Sequence, residues 1–581
     1  MADPQKVTYL GKVDFRNKEL TFGIKEDDRT RHTYVIGKTG MGKSTLLENM
    51  IIQDINNGEG LCVIDPHGSM AEKLLDFVPE HRVHDVIYFA PFDAEYPIAL
   101  NVLEKVDPNK RHLVANGLMA AFKKLFQDQF SARMEYILNN IILALLENEG
   151  QTLLGVNRML TDKEYRKFIV SNVTDPSVRD FWVVEYANYT ERFAAEAAPA
   201  IQNKVGQFVA NPLIRNIIGQ VQTSFDIRDV MDNKKILIVN LSKGKVGEGN
   251  ANLIGSLLIT KIYLAAMSRA DVGAYEAEKL PPFYFYVDEF QNFANESFAS
   301  ILSEARKYKL ALTVAHQYIE QMTDEVKAAV FGNVGTMITF RVGATDAEIF
   351  EKEFAPYFIM DDIVNLSAYQ IYLRLMIDGV GSKPFSAKTL PNIPRPARSY
   401  AQNVIDYSRK KYGCPKVTVE EIITRFYEPI KKPEVLRKET PTVQEVTKVE
   451  TPVKKETPKE YSRTEPRRDD RREDKRRSQD PRRTSDVTSR QEQPRSPRTE
   501  KRIEQSEQAS QQEDKKVLFD EKPSTSLKDA LAKAMNEKKE EVDQSKVESQ
   551  KSSEEKIQEK TPNTREVSED LLKNLIYDEE K

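Results

Sequence analysis

The chain has 581 residues, a formal net charge of −4 and 40% hydrophobic residues, a length that allows two to four domains. Its two cysteines, Cys62 and Cys414, are too few and too scattered for a disulfide framework, which fits a reducing compartment. The six histidines form no cluster with metal-ligand spacing, and the near-zero net charge averages unlike regions.

Thr33–Ile36 reads as a short strand and Thr45–Ile55 as an amphipathic helix. Between them, Gly37-Lys38-Thr39-Gly40-Met41-Gly42-Lys43-Ser44 fills the phosphate-loop pattern G-x-x-x-x-G-K-[ST] in the strand-to-helix context that gives the pattern meaning. The glycines let backbone N–H groups wrap a triphosphate at a helix N-terminus. Lys43 would bring charge to the β- and γ-phosphates, and Ser44, followed by Thr45, a hydroxyl ligand to Mg²⁺. A nucleoside-triphosphate site, taking ATP and Mg²⁺, is expected here.

Short apolar runs then read as buried parallel strands: Leu61–Asp65, Val86–Phe89, Ile236–Asn240, Phe283–Val287, Ala311–His316 and Thr336–Phe340. Helical patterns between them predict an α/β fold with a mainly parallel, RecA-like sheet. From about Glu104 to Asp232 the pattern is helical only, with Arg111–Phe126, Ala132–Glu147, Lys163–Val170 and Arg192–Val209, and Thr161 to Glu164 reads as a capping box. This predicts an all-helical insertion over 104–232, between ATPase segments 1–103 and 233–425.

Phe283–Val287 is an all-apolar strand that ends in Asp288-Glu289. Hydrolysis needs a metal anchor and, one residue along, a base. Asp288 would hold Mg²⁺ through its water shell and Glu289 would orient and deprotonate the attacking water. Gln317 follows the next strand, where a polar side chain can touch both γ-phosphate and water. Arg306 lies on the helix between those two strands; it reads either as an arginine finger for a neighbouring subunit's site or as part of a solvated helix face. Farther on, Ile371–Ile377 and Lys383–Ala387 flank Asp378-Gly379-Val380-Gly381, a β-hairpin signal, and prolines 391, 394 and 396 precede a helix over Tyr400–Tyr412.

No segment reads as the ~18 apolar residues needed to cross a bilayer, and the N-terminus carries no signal-peptide pattern. A cytoplasmic protein is expected, peripheral to the inner face of a membrane if a partner holds it there. From about residue 426 the composition predicts a disordered tail. It is basic between Tyr461 and Arg502 and acidic after Ile503, with amphipathic patches at Ser526–Asn536 and Ser568–Tyr577.

Taken together, these motifs resemble the FtsK–HerA superfamily of hexameric translocases, specifically the soluble motor of TraG/TraD-like type IV secretion coupling proteins. The resemblance is carried by Tyr34–Ile55, Cys62-Val63-Ile64-Asp65-Pro66-His67-Gly68, Arg133 to Leu138, Asn203 to Phe208, Asn240-Leu241-Ser242-Lys243-Gly244, Val287 to Phe290, and Arg306 with Gln317. It covers about residues 8–415 and leaves out the tail. It implies a homo-oligomer, a hexameric ring whose channel grips the DNA backbone without reading sequence. Lys243 and Lys245, in the loop after Ile236–Asn240, are weak DNA-contact candidates; surface lysines are the alternative. A membrane secretion channel or a protein bound through the tail is the further partner expected. The functional readings are a DNA-translocating ATPase for secretion or conjugation, a substrate-recruiting platform for protein export, or a HerA-like DNA-processing translocase. An N-K-x-D guanine signature and an L-S-G-G-Q segment are both absent from the sequence.

Overall fold

The computed structural model describes residues 6–15, 18–104, 106–126, 129–189 and 191–429. Among them, β1 (Val7–Phe15), β2 (Lys18–Lys25), β3 (Thr33–Ile36), β4 (Gly60–Asp65), β5 (Val86–Phe89), β6 (Ile236–Asn240), β7 (Phe283–Val287), β8 (Leu310–His316), β9 (Thr336–Thr339), β10 (Gln370–Arg374) and β13 (Phe385–Thr389) form an 11-stranded sheet. β11 (Met376–Ile377) and β12 (Val380–Gly381) form a separate small ribbon.

The sheet order is β2-β1-β13-β10-β9-β3-β8-β7-β4-β6-β5. From β9 to β5 every pairing is parallel, and from β9 outward through β10, β13, β1 and β2 every pairing is antiparallel. All residues of β3, β4, β6, β7 and β8 are buried, which is why they read as unbroken apolar runs rather than alternating ones.

Alternate residues feed two cores. Tyr34, Ile36, Cys62, Ile64, Phe285 and Val287 belong to one, which also takes in helices Arg111–Leu125, Ala132–Leu146 and Glu248–Met267. Val35, Leu61, Val63, Tyr284 and Tyr286 pack against helices Lys43–Asn56 and Ser69–Leu75.

The hairpin β1–β2 is not anticipated by the sequence reading. Its β2 strand is half exposed, so it lacks the apolar run that marks the central strands. Buried Arg29 ties this edge to the middle of the fold. Its guanidinium donates to both Asp54 oxygens at 2.7 and 2.8 Å, to the Tyr286 hydroxyl at 2.6 Å and to Thr8 Oγ1 at 2.8 Å. It also lies 3.6 Å from the centre of the Tyr284 ring.

Between β5 and β6 the described chain contains helices and no strand. One of these helices is capped differently from the sequence expectation. Thr161 is the last residue of helix Leu154–Thr161, and its hydroxyl donates to the Asn157 carbonyl. The cap of Lys163–Ser171 is Asp162, whose carboxylate accepts the Glu164 and Tyr165 N–H groups at 3.0 Å. A residue with helical backbone cannot also turn its side chain onto the next helix's first amides, so the cap moves one residue along.

The stretch Glu248–Asp271, made of helix Glu248–Met267 and the turn after it, corrects a second expectation, because by length and composition it is apolar enough to cross a membrane. Asn250, Asn252, Ser256, Thr260 and Lys261 interrupt the run in sequence. Leu253, Ile254, Leu257, Leu258 and Ile262 are buried in the first core, so its apolar surface is used inside the fold. It meets helix Arg111–Leu125 so closely that a Cβ on Gly117 would lie 2.5 Å from Thr260 Cγ2.

β10 and β13 pair antiparallel, and Asp378 (φ +49°) and Gly379 (φ +80°) form the tight turn of the small β11–β12 ribbon between them. Helix Ala401–Tyr412 covers edge strand β5; Tyr88 N donates to Ser408 Oγ at 2.8 Å and Arg409 Nε to Asp93 at 2.6 Å. A last helix, Lys416–Phe426, is not in the sequence reading and packs Val419 and Ile423 on Leu154. The tail expected from about residue 426 falls outside the described residues beyond residue 429, as do the patches Ser526–Asn536 and Ser568–Tyr577.

Candidate nucleotide-binding site

The loop from Gly37 to Gly42 leaves the C-terminal end of β3, whose neighbours are β8 on one side and β9 on the other. In an open α/β sheet, ligands bind at such an edge, where connections diverge to opposite sides. Both neighbours hold the loop. Gly37 N donates to the His316 carbonyl at 3.3 Å, and Lys38 N to the Arg341 carbonyl at 2.8 Å.

Gly40 (φ +79°) and Gly42 (φ +116°) take left-handed backbone, which L side chains rarely adopt. Gly42 is also the N-cap of helix Lys43–Asn56, and no side chain caps that end. The first-turn amides, including those of Ser44 and Thr45, are thus available to an anion, and the helix dipole favours one. Lys43 is buried and folds its ammonium back over the loop, 2.5 Å from the Gly37 carbonyl and 3.3 Å from that of Lys38. Burial lowers its pKa, against the opposing pull of Glu289 and Asp288.

On the β8 side, the carboxylates converge. Asp288 follows β7, its N–H donating to the Ile64 carbonyl of β4. Its carboxyl is pushed up to about 7 by burial first, then by the charges of Glu289 and Asp65. Glu289 sits at φ +48°, a strained position for a non-glycine residue. Gln317 Nε2 donates to its Oε1 and Gln291 Nε2 to its Oε2. Thr39 Oγ1 donates to Gln317 Oε1 at 3.2 Å, and His67 Nε2 lies 4.0 Å from Glu289. Thr39, Gln317, Glu289 and Asp288 therefore form one group beside Lys43.

These residues suit Mg²⁺. Among the described residues, no cluster of three or more His, Cys, Asp or Glu side chains could hold a metal alone. Mg²⁺ commonly takes one or two protein oxygens, with phosphates and water completing its shell. Asp288, crowded by two other carboxylates, is a position where a cation relieves repulsion, and the exposed Ser44 hydroxyl lies at the helix start.

Arg306 is not brought to this group. It is exposed in the short turn Ala305–Tyr308 that precedes β8, whereas Gln317 follows β8. The strand's length puts roughly 20–25 Å between them. Lys243 and Lys245 lie on the β4–β6 side of the same edge. Lys243 N donates to the Pro66 carbonyl at 2.8 Å, and its ammonium is 4.0 Å from Glu248. Lys245 pairs with Glu72 at 3.0 Å and lies 4.2 Å from the Phe92 ring centre. Both lysines are thus already engaged within the chain.

Asp65, His67, Gln291 and Tyr369 also lie at this site, beyond the residues that the sequence motifs assign to it. Asp65 has a signal in sequence, an acid closing an apolar strand as Asp288 does. Its carboxylate accepts the His67 and Ala71 N–H groups at 2.8 and 2.9 Å. Tyr369 has none; only the fold carries it to the loop.

Residues 21–368 match the family described as the type IV secretion-system coupling protein DNA-binding domain. No curated protein sequence matches the chain. Among solved structures, the unbound bacterial conjugative coupling protein TrwBdeltaN70 is 14% identical, with 67% of this chain and 91% of that chain covered at a TM-score of 0.48. The plasmid coupling protein TrwB in complex with ADP and Mg²⁺ is 14% identical, covering 65% and 89% at 0.47. VirB4 of Thermoanaerobacter pseudethanolicus is 14% identical, covering 69% and 99% at 0.43.

Proposed function

Since the chain belongs to the family of the type IV secretion-system coupling protein DNA-binding domain, we propose that it is an ATP-hydrolysing motor that moves DNA towards a secretion or conjugation channel. The observation that carries this reading is the meeting of Lys43, Asp288, Glu289 and Gln317 at the C-terminal edges of β3, β7 and β8.

The chain's own residues divide the work. The loop amides and Lys43 hold the polyphosphate, and Glu289 orients and deprotonates the attacking water. Gln317, bonded to both Thr39 and Glu289, links γ-phosphate occupancy to the base. Mg²⁺, held by Ser44 and Asp288, would neutralise charge on the β- and γ-phosphates. Arg306, remote from its own chain's site and exposed, acts in a neighbouring subunit's site, which calls for a ring, in this reading a hexamer. The work is done in the cytoplasm or at the inner face of the membrane, where a channel partner holds the motor.

The test is the ATPase rate with and without single- and double-stranded DNA, alongside mass measurement with a bound ATP analogue. DNA should stimulate turnover, and Glu289→Gln should abolish it while keeping ATP bound. Wild-type turnover in Glu289→Gln would end this reading.

A further inference from the structure

We propose that the Tyr369 ring is the platform on which the nucleotide's base stacks. The inference rests on the phosphate loop holding a nucleoside triphosphate and adds where the other end of that molecule lies.

Direction comes from the sheet. The groups suited to the γ-phosphate (Asp288, Glu289 and Gln317) all lie on the β7–β8 side of β3. A triphosphate threaded through the loop with its γ end there must leave its sugar and base towards the opposite neighbours, β9 and β10. Tyr369, immediately before β10, stands on that side.

Its contact with the loop is direct. Tyr369 N donates to the Met41 carbonyl at 2.9 Å, and Thr389 N donates to the Tyr369 carbonyl at 2.9 Å. A Cβ on Gly42 would lie 2.9 Å from Tyr369 Cδ1, so ring and loop are in van der Waals contact. The residue remains 45% exposed, although Phe340 beside it is fully buried. The backbone is strained as well, because Tyr369 takes φ +66°, costly for a bulky side chain. Such positions cluster at ligand clamps, held there by surrounding bonds. Here a fixed, half-open aromatic face is presented beside the helix start, which is what stacking on any base needs.

The experiment uses the full chain and two probes, ATP and inorganic tripolyphosphate, which has no base. Tyr369→Phe should bind both within about twofold of wild type. Tyr369→Ala should weaken ATP by roughly 5- to 150-fold, the range for loss of one base–aromatic stack, and leave tripolyphosphate within about twofold. Retained tripolyphosphate binding also shows that the variant's loop is folded. Equal weakening of both probes would overturn the proposal, since Tyr369 would then only shape the loop; so would unchanged ATP affinity. Failure of the wild type to bind ATP would overturn the nucleotide-site reading itself, a result distinct from either.

Discussion

Gln317 Nε2 donates to Glu289 Oε1, joining the ends of β8 and β7, while its carbonyl oxygen accepts the Thr39 hydroxyl of the phosphate loop. One side chain thus touches both the loop that would hold the γ-phosphate and the carboxylate that would activate water. Under the proposed function, loss of that phosphate on hydrolysis would change the surroundings of Thr39, and Gln317 would pass the change to Glu289 through a single amide.

Lys43 and Arg306 should separate binding from turnover. Lys43→Ala removes the buried ammonium from the loop and should abolish ATP binding by calorimetry. Arg306→Ala should retain binding and lose turnover by roughly a thousandfold or more. Mixing the two variants should recover turnover that neither has alone, because each supplies what the other lacks. Intact turnover in Arg306→Ala would remove the shared-site reading.

Asp288 should make the nucleotide-free protein pH-sensitive. Folded, the carboxyl keeps its proton up to about pH 7, whereas unfolded it releases it near pH 4. The folded state binds more protons across that window, so this contribution to stability is fully present below pH 4 and is lost as pH rises through 7. Asp288→Asn should be the more stable chain at pH 8, its advantage growing by about 1–3 kcal/mol between pH 5 and 8. Urea denaturation without Mg²⁺ measures this; a pH-independent gap would contradict the assignment.

Gly42 and Gly40 should differ in what an added methyl costs. At Gly42 the methyl meets Tyr369 at 2.9 Å and Phe340 at 3.2 Å, on backbone at φ +116°; at Gly40 it meets nothing within 4 Å. Gly42→Ala should lose about 2–4 kcal/mol of stability from strain and crowding together. Gly40→Ala should lose about 1–2 kcal/mol from the left-handed backbone alone. Equal losses by chemical denaturation would show that Tyr369 does not press on the loop.

Arg29 and Asp54 form an ion pair buried on both sides. Arg29→Ala would leave Asp54 and the Tyr286 hydroxyl buried without their cation. The expected cost is about 3–5 kcal/mol, read from the denaturation midpoint at pH 7. A cost below about 1 kcal/mol would mean that water reaches the pair.

Legibility in the sequence followed burial. The central strands β3, β4, β6, β7 and β8 are buried on both faces, so their apolar runs announce themselves, and the loop and Asp288-Glu289 sit at the ends of two of them. β1 and β2 lie at an edge with one face half open, and their pattern dissolves into ordinary polar sequence. Asp162 was hidden behind Thr161 because both are good caps and only backbone geometry chooses between them. Tyr369 belongs to the site solely because β10 returns beside β9, a long-range pairing that no local pattern encodes.

Arg158 donates to the Glu428 carbonyl at 2.8 Å and also to that of Phe426, while Val419 and Ile423 rest on Leu154. The final described turn is therefore fastened to the helical insertion and not to the strand edge that carries the nucleotide residues. In mechanical terms, a pull on the chain beyond Glu428 would load helix Leu154–Thr161 together with the last described helix, Lys416–Phe426. The insertion in turn meets helix Glu248–Met267 where Gly117 faces Thr260, so such a load would be shared with the first core.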